Sequence, residues 1–65
     1  MKLTDIHAAV QAIRDQSGDD EGAHAAEDEL YINVLAAIAE GARNPRKLAA
    51  AALETRQLGF ARWYA

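Results

Sequence analysis

Leu3, Ile6, Val10 and Ile13 follow one another at spacings of three, four and three, which sets them on one side of a helix over about Asp5–Gln16. Thr4 is its expected N-cap, and Asp5 stands just inside the first turn, where a carboxylate suits the helix dipole. Gly18 is placed to supply a left-handed residue after the helix ends. His7 lies beside the apolar stripe, where a lone histidine reads as an edge residue rather than a ligand. Ser17–Gly22 is polar and contains two glycines, a connector in which Asp19 or Asp20 can cap the second helix.

The longest helical run comes next, a helix over about Glu21–Glu40. Its stripe is Ala23, Ala26 or Glu27, Leu30, Val34 and Ile38, widened by Tyr31 and Leu35. Ile32 falls well round the helix from that stripe. A helix that is apolar on more than one side needs a second cover, which is a third helix or another subunit. Gly41 closes this helix; Asn44 caps the next, and Pro45 takes its first position. Pro45–Gln57 carries Leu48, Ala52 and Leu53, with Ala49, Ala50 and Ala51 between them. The alanine run favours helix and lets another backbone come close. Gly59 is the expected stop. Three of the four aromatic side chains lie beyond it, Phe60, Trp63 and Tyr64. Phe60 and Trp63 are expected to dock from one helical turn. The pattern predicts an all-α fold with one domain over 1–65, an antiparallel three-helix bundle with a docked aromatic C-terminal tail. Leu30, Tyr31, Val34, Ile38, Phe60 and Trp63 are its expected structural side chains.

Length sharpens this picture. A chain of 65 residues buries only about 60% of the surface that its unfolded form exposes, so its core is marginal. There is no cysteine to add a disulfide or a thiolate zinc site. Regular helix packing or association with another chain must supply the stability, and a homodimer through the alanine-rich or Ile32 side is one expectation. Met1–Asp5 turns polar at once, unlike a signal peptide, and no apolar run reaches the roughly 18 residues of a membrane span. A soluble, cytoplasmic protein without a membrane partner is expected.

Charge is unevenly spread within the net −3. Residues 1–40 hold nine acidic side chains against Lys2 and Arg14, a net of −7; residues 41–65 hold five basic ones against Glu54, a net of +4. Such asymmetry can mark a partner surface. The plainer reading is that the two parts fold together and neutralise each other. In an antiparallel hairpin, Glu27–Glu29 would lie near residues 56–60, beside Arg56 and Arg62. Exposed pairs there would choose the register and contribute about 0–1 kcal/mol each.

Candidate chemistry is sparse. His24, Glu27 and Asp28 share a helix face at metal-binding spacing, but His7 would lie on the order of 10 Å away along the axis and further ligands are missing. A solvated charged face with no cofactor is the expectation there. Ser17 is the sole serine and reads as a turn or capping residue. Glu27, Asp28 and Glu29 are expected in water, without the shielding that acid–base catalysis needs. No glycine-rich phosphate loop is present, and a domain of this size seldom forms a pocket of several hundred Å³. Arg43, Arg46 and Lys47 invite comparison with a helix-turn-helix. An alanine interior, however, offers few side chains to base edges, and the acidic helix would repel phosphate. As cations at a helix N-terminus they should face water or an acidic partner.

The words Ala23–Tyr31 (H-x-x-E-D-x-L-Y from His24), Val34–Ala39, Ala49–Thr55 and the ending F-x-R-W-Y-A of Phe60–Ala65 resemble a group of small helical proteins of bacteriophages and prophages. The likeness covers about residues 18–65. It implies a phage origin and an all-helical fold and carries no catalytic residue. The expected function is that of a non-enzymatic phage-type accessory protein. It would bind a protein partner, a host one included, through Arg43, Arg46, Lys47 and Ile32. The alternatives are a nucleic-acid-associated regulator using the Arg43/Arg46/Lys47 patch, or an acidic DNA-mimic inhibitor.

Overall fold

A computed structural model describes residues 1–62, so the expectations for Trp63 and Tyr64 fall outside the described residues. Three α-helices account for most of the chain: α1 (Leu3–Asp15), α2 (Asp20–Ala39) and α3 (Pro45–Leu53). A 3-10 turn over Glu54–Gln57 continues α3 and replaces the last α-helical turn expected there. Each helix packs on the other two, successive helices run antiparallel, and there is no strand among the described residues. The chain folds as a three-helix bundle.

α1 begins two residues earlier than the pattern suggested. Lys2 rather than Thr4 is the N-cap, and the Asp5 carboxylate accepts the Lys2 backbone N–H at 2.8 Å. The expected carboxylate in the first turn therefore does the capping itself. Gly18 does not take the left-handed conformation. α1 runs out through Gln16 and Ser17, whose amides bond back to Ile13 and Arg14, and the Ser17 hydroxyl donates to the Ile13 carbonyl at 3.2 Å. Asp19 caps α2 by accepting the Gly22 N–H at 3.1 Å. Gly41 closes α2 with φ +92°, a conformation that side chains resist. Asn44 does precede Pro45, in a left-handed conformation (φ 56°), but its side chain makes no capping bond.

Ile6, Val10 and Ile13 of α1 meet Ala23, Leu30 and Val34 of α2, Leu48, Ala51 and Ala52 of α3, and Phe60 in one core. Tyr31 and Ile38 pack against it half-buried. Phe60 docks as expected, but from a segment without regular structure after the 3-10 turn rather than from a helical turn. Leu35 and Leu53 do not join the core. They stand 66% and 55% exposed, as does Ile32 at 66%.

Candidate functional site

Glu27 is the first departure with chemical content. The expectation that it faces water is overturned: it is 2% exposed, on the core stripe between Ala23 and Leu30. At 100° per residue it lies on the same side of α2 as Val34, so the helix carries it inward whatever its charge. Arg62 covers it. The Arg62 Nε donates to Glu27 Oε1 at 2.8 Å, one terminal nitrogen donates to the Thr55 carbonyl at 2.6 Å and the other to the Phe60 carbonyl at 3.1 Å. The guanidinium also stacks 3.9 Å over the Phe60 ring, where the face of the ring attracts a cation. Burial pushes the Glu27 carboxyl up, but the hydrogen bonds of Arg62 and Thr55 and the charges of Arg62 and Arg56 together outweigh it. The carboxyl is held below its ordinary value, and Glu27 raises Arg62 in return. Alongside, the Tyr31 and Thr55 hydroxyls share a hydrogen bond of 2.6 Å, with Thr55 fully buried. Glu27 Oε2 has no hydrogen-bond partner among the described residues.

This arrangement decides the His24, Glu27, Asp28 constellation. Glu27 is turned inward to Arg62, while His24 and Asp28 approach each other at 3.6 Å on the rim. Asp28 and Glu29 stay at the surface, half-exposed and exposed. Among the described residues no three His, Asp or Glu side chains stand close enough to hold a metal ion. His7 is exposed on α1.

The apolar excess of α2 faces outward. Tyr31, Val34, Leu35 and Ile38 of α2 and Ala49, Ala52 and Leu53 of α3 line an open groove of about 270 Å³ with no polar surface exposed inside it. Leu35 and Leu53 form its two rims, and Ile32 stands one helical turn from Leu35. From Tyr31 to Ile38 the groove spans about 10 Å at 1.5 Å per residue, two turns of a helix. Sequence reasoning picked out Ile32 but missed the groove. Leu35 and Leu53 fit the helical stripes about as well as the true core residues do, and only packing separates them.

Arg43, Arg46 and Lys47 are all exposed around the start of α3. Arg43 and Lys47 join Lys2 around an open cleft of about 410 Å³, whose walls include Leu3, Ala42, Asn44 and Leu48. A cleft of that size was not expected of so short a chain. The two charge blocks meet in part: Glu27 pairs with Arg62, which the antiparallel hairpin set beside it, and the charge of Arg56 acts there too, whereas Lys2, Arg43, Arg46 and Lys47 join no ion pair among the described residues.

No protein-family model, curated protein or solved structure matches the chain. No helix among the described residues is long and apolar enough to cross a membrane.

Proposed function

We propose that this is a non-enzymatic binding protein whose α2–α3 groove receives the apolar face of a helix from a protein partner. The observation that carries this reading is the placement of Leu35 and Leu53, two large apolar side chains more than half exposed on either rim of a groove without polar lining. Residues i, i+3 or i+4, and i+7 of a docked helix span about 10 Å, which is the length of the groove. Its surroundings are polar and of mixed sign: Asp28 lies one turn before Ile32 on α2, and Arg46 lies two turns before Leu53 on α3. A partner helix with apolar anchors and a carboxylate near Arg46 fits this surface. The resemblance of the sequence to small phage and prophage proteins supports an accessory role, with a host protein as one source of that helix.

A pull-down from the cells that make the protein tests the reading with three baits: wild type, Leu35→Gln/Leu53→Gln, and Arg43→Glu/Lys47→Glu. The expected result is one protein held by the wild type and the charge variant and lost from the groove variant. Retention by the groove variant would overturn it. A wild-type chain that elutes as a dimer and is made monomeric by Leu35→Gln/Leu53→Gln would assign the groove to a second copy instead.

A further inference from the structure

We propose that the cleft between the start of α1 and the α2–α3 connection binds a small phosphate-bearing ligand, a phosphomonoester or diphosphate, independently of the apolar groove. Lys2, Arg43 and Lys47 surround it, Arg46 stands in the same turn as Lys47, and no carboxylate lines it. Asp5 caps the Lys2 amide and Glu40 ends α2 three residues before Arg43, and neither carboxylate enters the lining of the cleft. With no carboxylate in the lining and no ion pair to any of these cations among the described residues, the repulsion among them is only partly offset. α3 has no acidic residue in its first turn to offset Arg46 and Lys47, which oppose its dipole there. Departures of this kind from local electrostatic rules are expected where a ligand supplies the missing charge.

The shape and lining narrow the class. The volume, about 410 Å³, is within the range of small-molecule sites, and Leu3, Ala42 and Leu48 give an apolar wall for the organic part of a ligand. A phosphate dianion answers a cluster of cations better than a single carboxylate does, and the Arg43 guanidinium suits its paired oxygens. A nucleic-acid strand fits less well. No aromatic side chain lines the cleft for base stacking, and the opposite end of the bundle carries Asp15, Asp19, Asp20 and Glu21.

Amide chemical-shift mapping of the full chain with pyrophosphate, set against sodium chloride at equal ionic strength, tests the site. Saturable shifts are expected at Lys2, Leu3, Arg43, Asn44 and Lys47. The Arg43→Gln/Lys47→Gln variant, whose fold is checked by circular dichroism, should weaken binding by about tenfold or more. Shifts no larger than those from chloride, shifts shared equally by Arg14 and Arg56, or an unaffected variant would overturn the proposal. Binding of a thymidine octamer with no response to pyrophosphate would also overturn it and assign the cations to a nucleic-acid backbone. Leu35→Gln/Leu53→Gln should bind pyrophosphate like the wild type, so this site and the groove stand or fall separately.

Discussion

At the scale of residues, Arg62 makes the most varied set of contacts among the described residues. It bonds to Glu27, to the Thr55 and Phe60 carbonyls and to the Phe60 ring, and so ties the end of the chain to α2 and to the turn after α3. Removing it leaves a carboxylate buried without its cation. Arg62→Ala is expected to destabilise by about 2–3 kcal/mol in denaturant unfolding. That is below the roughly 3–5 kcal/mol of a deeply buried broken pair, because the Arg62 side chain remains 18% exposed. Phe60→Ala should cost about 3–5 kcal/mol, the usual loss for a buried ring. The pair also sets a pH dependence. A carboxyl held below its ordinary value in the folded state stabilises the fold above the unfolded value, near 4.5, and that contribution is lost as pH falls through the lower folded value. Melting temperature should therefore drop below about pH 4.5, and Glu27→Gln should flatten that part of the acid limb. Glu27 was legible only in part: its position on the stripe made it a candidate for the core, while its charge argued for water. Arg62 beside the acidic cluster followed from the antiparallel hairpin; that it closes over Glu27 and buries it, rather than pairing with it in water, depends on how the segment after Gly59 returns.

At the scale of elements, α2 has two apolar faces, and they have different tasks. Ala23, Leu30 and Val34 hold α1 and α3, whereas Ile32 and Leu35 hold nothing among the described residues. Leu35→Gln and Leu53→Gln should therefore each shift stability by no more than about 0.5 kcal/mol, while Leu30→Ala should cost about 2–5 kcal/mol. Calorimetry on the three variants checks the division. Helix order, the connectors and the ends at Asp19, Gly41 and Pro45 were legible because each arises from backbone chemistry close by. Leu53 was not, since Leu48 and Leu53 are equally apolar and differ only in which side of a short helix meets α1. Gly18 misled for a related reason: the hydroxyl of Ser17 and the amides of Gln16 and Ser17 already satisfy the end of α1, so no left-handed residue is needed.

At the scale of the whole molecule, the bundle separates charge along its length. The cations around Lys2, Arg43 and Lys47 lie at one end and the acidic connector between α1 and α2 at the other. The extent is 33 Å, several times the roughly 8–10 Å over which salt screens exposed charges. Neutralisation between the halves holds where Arg62 and Arg56 reach Glu27 and goes no further, because Arg43, Arg46 and Lys47 stand at the turn where α2 ends, far from the acidic connector. Arg46→Glu should then stabilise the protein by about 0.3–1 kcal/mol, by placing an acid in the first turn of α3 and thinning the cationic cluster. A loss of stability on thermal unfolding would mean that the cluster is compensated in a way this geometry does not contain.

The proposed function requires a partner helix over the outward side of α2 and α3. The most direct measurement is photo-crosslinking in the cells that make the protein, with a benzoyl-phenylalanine in place of Leu35, and at exposed Gln11 on α1 as the control. A single heterologous adduct is expected from position 35, joined to a peptide with apolar residues at helical spacing, and none from position 11. Equal labelling from both positions, or none from position 35, would contradict it.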